Sequence, residues 1–224
     1  MALNFQEEQI RAVTDTFRYK SHSFRIRRVA NVDELIDRIS DEEFNRDERL
    51  PYWAELWPSA IGLSRFLLDQ PELVRGKQVL ELGCGLGLTS LVLQTLAPAE
   101  LLITDYEPAA LHWALENFRL NELTEPQTRL LDWRAPELTA TFDRIVASDV
   151  LYEERFFLPL IKLVQRFLRP DGLLIIAEPG RPIARKFFDR LADAGFIREQ
   201  RIEQVLQDER PIRVGIHLIQ RDKR

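Results

Sequence analysis

The 224-residue sequence predicts an α/β fold: a seven-strand, mostly parallel sheet with helices on both faces and an antiparallel C-terminal hairpin. Three observations predict it. Between residues 59 and 194, short apolar runs alternate with amphipathic stretches, as in repeated strand–helix units. The glycine-rich turn at 83–87 joins one strand to the next helix. Two strand-like runs then flank Pro211 and can pair as a hairpin.

The first fifty residues are predicted to form an extension packed on a main domain of residues 51–224. Within it, Ser23–Val29 alternates apolar and polar residues, which is typical of a half-buried strand. A short helix is expected over Glu34–Ile39. The charged run Asp41–Arg49 then indicates a solvated linker.

The main domain is predicted element by element from the period of its apolar residues and from its prolines and glycines. Strands are expected at Gln78–Leu82, Leu101–Thr104, Thr128–Leu131, Arg144–Ser148, Leu173–Ala177, Gln200–Leu206 and Ile212–Ile219, and helices at about 59–70, Leu88–Thr95, Pro108–Asn121, Phe156–Leu168 and Pro182–Ala194.

Composition limits the classes of function. A net charge of -5 argues against a general nucleic-acid binder, which usually carries a basic surplus. No stretch approaches the roughly 20 apolar residues of a membrane span, and the acidic N-terminal segment lacks the apolar core of a signal peptide, so a cytoplasmic location is expected. Cys84 is the only cysteine, and the three histidines lack metal-ligand spacing, so no disulfide and no metal are expected.

The turn after the first main-domain strand carries the clearest functional pattern. Gly83, Gly85 and Gly87 alternate there, and glycine lets a ligand approach the backbone because no Cβ atom blocks it. Leu88 stands at the position where a dinucleotide G-x-G-x-x-G motif requires glycine, and no lysine follows as a P-loop requires. Glu81 precedes the turn, where a carboxylate would repel phosphates but suit a cationic amino-acid ligand.

Acidic residues also end the next two strands. Asp105 follows the second strand, where a carboxylate can accept hydrogen bonds from both hydroxyls of a ribose. Asp132 and Trp133 follow the third, where a polar group and an aromatic ring can read and stack on adenine. The alternatives are a helix N-cap for Asp105 and a core aromatic for Trp133.

The E-x-G-x-G-x-G turn and the downstream acid resemble those of class I, seven-strand S-adenosylmethionine-dependent methyltransferases, whose sheet is Rossmann-like. The resemblance covers nearly the whole chain from Leu50 onward. It implies S-adenosyl-L-methionine as cofactor and S-adenosyl-L-homocysteine as product. Carried over residue by residue, it implies a cofactor site of Glu81, Gly83, Cys84, Gly85, Gly87, Asp105, Tyr106, Asp132, Trp133 and Ser148.

The segment Asp149–Tyr152 follows the fourth strand, where the reacting ligand lies in open α/β sheets. It lacks the prolines of the N/D-P-P-Y sequence of nucleic-acid amino-methyltransferases and instead resembles the D-x-x-Y motif of the family 16 protein methyltransferases. Trp57-Pro58 is similar to their Trp-Pro segment before the glycine turn, which implies Trp57 against the methionine end of the cofactor. Tyr52 or Trp53 would line the acceptor channel, or the aromatic segment would only seal the sheet.

Pro179-Gly180-Arg181 is similar to the P-G-R sequence of methyltransferases acting on lysines of the electron-transfer flavoprotein β-subunit. That resemblance implies a protein lysine as acceptor, and no nucleic-acid or membrane partner. Asp149 would accept an N–H bond from the amine, and Tyr152 would wall the channel or donate its hydroxyl. A helix N-cap for Asp149 and simple packing for Tyr152 are the alternatives, and Arg181 would bind a substrate acid or anchor its loop.

Two other functions fit the same pattern. A small-molecule N- or O-methyltransferase would keep the chemistry and change the acceptor. A nucleoside-cofactor-binding module without catalysis would keep only the glycine turn and its acids. An NAD-dependent dehydrogenase is disfavoured by Leu88.

Overall fold

Nine strands and six α-helices are present in the computed structural model, which describes residues 11–37, 50–207 and 209–223. The strands are β1 (Ala12–Tyr19), β2 (His22–Val29), β3 (Gln78–Leu82), β4 (Glu100–Asp105), β5 (Gln127–Leu130), β6 (Phe142–Ser148), β7 (Leu168–Glu178), β8 (Phe196–Gln207) and β9 (Arg210–Arg221). The helices are α1 (Asp33–Ile36), α2 (Pro58–Asp69), α3 (Leu88–Thr95), α4 (Pro108–Leu120), α5 (Phe157–Phe167) and α6 (Ala184–Asp193). No helix in these ranges is long and apolar enough to cross a membrane.

The central sheet has seven strands in the order β5-β4-β3-β6-β7-β9-β8, which confirms the predicted α/β class. β3 through β7 pair in parallel, and β9 is antiparallel both to β7 and to β8. β9 therefore lies inside the sheet, and β8, at the edge, runs in the direction of the parallel strands. The predicted antiparallel C-terminal hairpin is confirmed.

Successive side chains of the central strands pack against helices on opposite faces of the sheet. Val146 of β6 packs with the helices α2, α3 and α4, whereas its neighbours Ile145 and Ala147 pack with α5 and α6. Successive strand side chains point to opposite faces, so a strand buried on both sides must be apolar throughout. The apolar runs of the sequence therefore predicted where the strands lie, but not where each one begins. β7 begins at Leu168 and β8 at Phe196, whereas Leu173 and Gln200 were expected.

The N-terminal residues form a separate antiparallel hairpin of β1 and β2. β2 was predicted, and β1 was missed because half of its side chains are exposed and polar. The tip of the hairpin is held at the end of α2, where Tyr19 Oη donates to Asp69 at 2.8 Å and Lys20 Nζ lies 2.6 Å from the same carboxylate. Of the predicted Glu34–Ile39 helix, the structure describes α1, and the predicted linker 41–49 lies outside the described residues.

Asn117 of α4 and Asn121, the residue that caps the C-terminal end of this helix, bond to the backbone of β2 as a neighbouring strand would. Asn117 Oδ1 accepts from the Arg27 N–H at 2.7 Å, and its Nδ2 donates to the carbonyl oxygens of Arg27 at 3.0 Å and Leu86 at 2.9 Å. One turn later, Asn121 accepts from the N–H of Arg25 at 2.8 Å and donates to its carbonyl at 2.7 Å. Asn117 thus ties the hairpin to the glycine turn through Leu86.

We expect Asn117→Ala to lower the free energy of unfolding by about 2–4 kcal/mol, because the buried groups that it now satisfies would be left unpaired. Asn121→Ala removes an equivalent pair of backbone contacts at a more exposed position, where water can replace them, and should cost less than about 1 kcal/mol. Urea unfolding followed by circular dichroism measures both variants. Equal losses would mean that Asn117 has no special role in joining the hairpin to the turn.

Candidate functional site

The carboxyl ends of the parallel strands lie side by side along one edge of the sheet. In the β3–β4 register Leu82 pairs with Thr104, in the β3–β6 register it pairs with Ala147, and Ser148 pairs with Ala177 of β7. The chain order reverses between β3 and β6, which is where open α/β sheets bind their ligands. An open cleft of about 1130 Å³, mouth included, occupies this position.

The glycine turn forms the floor of the cleft. Gly83, Gly85 and Gly87 have φ angles of 67°, 51° and 82°, a left-handed region that glycine adopts without strain. At Gly87 a Cβ atom would lie 2.9 Å from the Cβ of Ala114, so the turn also needs glycine for close packing against α4. Gly87 then provides the N-terminal cap position of α3. The turn therefore presents bare backbone to the cleft.

Asp105 lies at the end of β4 and lines the cleft. Its carboxylate accepts from the backbone N–H groups of Gly85 and Glu107, each at 3.0 Å. Burial raises the pKa of Asp105 to about 6, although these hydrogen bonds favour the ionised form. Glu107, not Asp105, occupies the N-cap position of α4, so the helix-cap alternative does not describe Asp105. Its remaining lone pairs can accept from ligand hydroxyls.

Glu81 is placed differently from the sequence-based prediction. Its side chain is buried and accepts a hydrogen bond from Ser90 in the first turn of α3. Burial raises the pKa of Glu81 to about 8, so the carboxyl is largely protonated at neutral pH. It is not among the residues that line the cleft, so a direct carboxylate contact with a cationic ligand is not what this structure shows. Here Glu81 fixes α3 beneath the glycine turn.

Asp132 and Trp133 close the far end of the cleft. Asp132 is engaged by Arg134, whose guanidinium donates to both carboxylate oxygens and also to the hydroxyl of Tyr106 at 2.5 Å. The Trp133 ring meets Phe156 edge-on, with 6.0 Å between ring centroids. Arg134 and Phe156 were missed by sequence reasoning, although Arg134 lies only two residues beyond Asp132. The carboxylate of Asp132 is thus held in place before any ligand arrives.

Three aromatic side chains form the opposite rim. Tyr52 lies edge-on to Tyr152 at 5.3 Å and to Trp57 at 6.3 Å between ring centroids. Trp57 Nε1 donates to the carbonyl of Tyr52 at 2.7 Å, which fixes the indole against this segment. Burial, together with nearby carboxylates such as Glu153, raises the pKa of Tyr152, so its phenol stays protonated. The backbone of Trp53 lies beside Gly85, so this segment covers the glycine turn.

Asp149 lies between the glycine turn and the aromatic rim. Its φ angle is 56°, its N–H donates to the carbonyl of Ala177 at 2.9 Å, and it is 7% exposed. Ser59 Oγ donates to Oδ2 at 3.1 Å, while Arg181 donates to Oδ1 from Nη2 at 2.6 Å and from Nε at 3.2 Å. The next helical turn begins at Glu154, too far along the chain for Asp149 to cap it. Asp149 therefore lines the cleft with its carboxylate paired to a cation.

The loop that carries Arg181 is held from below by Glu178. Its Oε2 accepts from the backbone N–H groups of Gly180 at 2.7 Å and Arg181 at 3.0 Å, and its Oε1 contacts His217 Nε2 at 3.2 Å. Arg198 contacts the other ring nitrogen of His217 at 3.0 Å. Burial opposes ionisation of Glu178, but these bonds outweigh it and lower its pKa. Sequence reasoning missed this chain of contacts because its members come from three strands.

The structure brings most of the sequence-predicted site residues into one cleft. Its lining includes Trp57, Gly83, Cys84, Gly85, Gly87, Asp105, Tyr106, Asp132, Trp133, Ser148, Asp149 and Tyr152. For Arg181, where the sequence left a substrate contact and a loop anchor open, the structure shows an ion pair with Asp149 and a position 5.9 Å from the centroid of the Trp57 ring. Within residues 11–37, 50–207 and 209–223, no group of three His, Cys, Asp or Glu side chains is placed to hold a metal ion.

The fold and the cleft define a Rossmann-like methyltransferase architecture. The chain is similar to the solved structure of a T. thermophilus 16S rRNA N2 G1207 methyltransferase in complex with AdoMet and guanosine. The TM-score is 0.62 at 18% sequence identity, and the match covers 95% of this chain and 51% of that one. At that identity the likeness concerns the fold.

Residues 43–194 match the family model described as lysine methyltransferase, and the chain belongs to that family. It is 38% identical over 137 residues to the electron transfer flavoprotein beta subunit lysine methyltransferase of Xenopus laevis. This match covers 58% of this chain and 53% of that protein. It is 33% identical over 151 residues to the calmodulin-lysine N-methyltransferase of Arabidopsis thaliana, which covers 62% of this chain and 49% of that protein. The chain thus spans about half the length of these curated relatives.

Proposed function

We propose that this protein transfers a methyl group from S-adenosyl-L-methionine to the side-chain amine of a lysine in another protein. The observation that carries the proposal is a single cleft lined by two buried carboxylates, Asp105 at the end of β4 and Asp149 just after β6. Asp105 is suited to bind ribose hydroxyls, and Asp149 is left for the acceptor. Membership of the lysine methyltransferase family supports the acceptor type.

The residues fit the cofactor. The three left-handed glycines leave bare backbone where the methionine part and the ribose would lie, and Asp105 offers lone pairs to the ribose hydroxyls. Asp132 and Trp133, which line the cleft, would flank the adenine, and Trp57 suits a sulfonium, because aromatic faces attract cations. Cys84, Tyr106 and Ser148 complete the walls of this cofactor site. The similar fold solved with AdoMet is consistent with this assignment.

The cofactor supplies a methyl group on a positively charged sulfur: the amine nitrogen bonds to the methyl carbon while the carbon–sulfur bond breaks and leaves its electron pair on sulfur. Asp149 would hold an amine N–H and aim the nitrogen lone pair at the methyl carbon. Tyr52 and Tyr152 would wall the channel and exclude water. The amine must arrive neutral, and its proton leaves to water before transfer.

The proposed partner is a protein resembling the electron-transfer flavoprotein β-subunit, and the proposed location is the cytoplasm. This partner is supported by the similarity to the Xenopus laevis relative and by the sequence Pro179-Gly180-Arg181. The similarity to the Arabidopsis thaliana relative makes a calmodulin-like protein the second acceptor to compare with it. The location is supported by a sequence with a single, buried cysteine.

Labelling tests the acceptor. When the purified protein and tritiated S-adenosylmethionine are added to a cell lysate, we expect a discrete labelled band at the size of the flavoprotein β-subunit, and excess S-adenosylhomocysteine should abolish it. Acid hydrolysis of that band should return the label in methylated lysine. Label found only in small molecules would indicate a small-molecule methyltransferase, and no label at all would indicate a binding module without catalysis.

A further inference from the structure

The ion pair between Asp149 and Arg181 bears directly on the charge of the acceptor site. The side chain of Asp149 is 5% exposed and that of Arg181 is 35% exposed, so the pair is shielded on the carboxylate side. Two guanidinium nitrogens approach the same oxygen, Oδ1, while Ser59 donates to Oδ2. A carboxylate oxygen has about two lone pairs, so Ser59 leaves one acceptor position on Oδ2 unused.

Other charged groups around the cleft are mostly acidic. Its lining includes the carboxyl groups of Glu55, Asp105, Glu107, Asp132 and Glu153. Two of these carry an arginine partner, Arg134 on Asp132 and Arg155 on Glu153, and the phenols of Tyr52 and Tyr152 also line the cleft. Nearby negative charge stabilises a protonated amine and raises its pKa. A lysine entering this cleft beside an unpaired Asp149 would therefore be held as the ammonium ion, which has no lone pair to attack with.

Arg181 has the opposite influence. Its guanidinium is permanently charged, donates at 2.6 Å to Asp149, and lies 5.9 Å from the centroid of the Trp57 ring, so it stays at the acceptor end. Glu178 fixes the loop of this arginine by accepting from the backbone N–H groups of Gly180 and Arg181. A fixed positive charge next to the amine disfavours its protonation, while the open lone pair of Asp149 Oδ2 can still orient it.

We propose that Arg181 is a positioning residue that acts through Asp149 to keep the acceptor amine in its neutral, nucleophilic form. The inference rests on the proposed methyl transfer to lysine. It adds that Arg181 sets the pH range in which the transfer is fast. In the reaction the ammonium first loses its proton to water, and the freed electron pair then forms the nitrogen–carbon bond.

The test compares pH profiles of methyl transfer to purified electron-transfer flavoprotein β-subunit, or to total lysate protein, by wild type and Arg181→Gln. We expect the rising limb of kcat to move to higher pH by about one unit, so that the variant is about tenfold slower at a given pH on that limb. At alkaline pH it should approach the wild-type plateau. KM should not rise, because the unpaired Asp149 still binds the ammonium form.

A binding measurement checks the same point without turnover. Calorimetry with S-adenosylhomocysteine bound, in buffers of different ionisation heats, should show wild type releasing more protons than Arg181→Gln when the β-subunit binds. Arg181→Met, which keeps an apolar stem, should behave like Arg181→Gln, and Arg185→Gln, which removes an exposed arginine of α6, should behave like wild type.

The outcomes separate the two proposals. A lower plateau with an unmoved rising limb in both Arg181 variants would make Arg181 a structural anchor and overturn the inference. Unchanged proton release would do the same. Failure of wild type to methylate any lysate protein, with S-adenosylhomocysteine still bound, would instead overturn the proposed function.

Discussion

Asp149→Asn is expected to reduce the rate of methyl transfer at least about a hundredfold while leaving affinity for S-adenosylhomocysteine unchanged. Asparagine tolerates the left-handed φ of 56° and keeps the shape of the side chain, so the backbone at the end of β6 should not move. What changes is the charge: a neutral amide holds an amine N–H less firmly and leaves Arg181 facing the acceptor without its partner. Radiometric initial rates and isothermal titration measure the two effects.

A matched control is available elsewhere in the sheet. Asp143 is also paired with an arginine, Arg169, at 2.7 Å, and its bonds from Arg169 and Gln78 outweigh partial burial and lower its pKa. Asp143 lies at the opposite end of β6 from the cleft, so Asp143→Asn should leave transfer unchanged. If Asp149→Asn weakened cofactor binding and transfer equally, Asp149 would belong to the cofactor site.

The sequence predicted those features that depend on residues close together in the chain. Gln78–Leu82 and Leu88–Thr95 have the bounds expected from their apolar pattern, because a strand buried on both faces and an amphipathic helix each leave a local periodicity. The glycine turn between them follows from the steric freedom of glycine. The sequence also predicted that Asp105 and Asp149 lie along the same edge of the sheet, because each follows a parallel strand and such strands end at one edge.

Features that join distant parts of the chain could not be read in this way. Arg181 meets Asp149 across 32 positions, and Asn117 meets Arg27 across 90. No local pattern marks either pair, since an arginine in a loop and an asparagine on a helix are ordinary surface residues. Glu81 shows the converse: a motif located it, but only packing reveals that its carboxyl turns to Ser90. The contact of Arg181 with Asp149 sets the charge beside the proposed acceptor, and the contacts of Asn117 and Glu81 hold the glycine turn in place.

Asp105→Asn should weaken binding of S-adenosylhomocysteine about a hundredfold, since two charge-assisted hydrogen bonds to the ribose hydroxyls, each worth roughly 1.5–3 kcal/mol, would be weakened or lost. Asparagine can still accept one of the two backbone N–H groups that Asp105 now satisfies, so the fold should survive. Isothermal titration gives the affinity, and thermal unfolding of the ligand-free variant shows whether the glycine turn is intact. The Asp143→Asn variant again serves as the control.

The raised pKa of Asp105, about 6, adds a pH dependence with a definite sign. Above that pH the carboxyl group is ionised and accepts from both hydroxyls; below it the group gains a proton and loses part of that capacity. Affinity of wild type for S-adenosylhomocysteine should therefore fall as pH drops through about 6, whereas Asp105→Asn should show a flat profile over the same range. Because the ligand's ribose does not titrate there, a wild-type affinity that stayed constant through this range would mean that Asp105 does not bind the hydroxyls as a carboxylate.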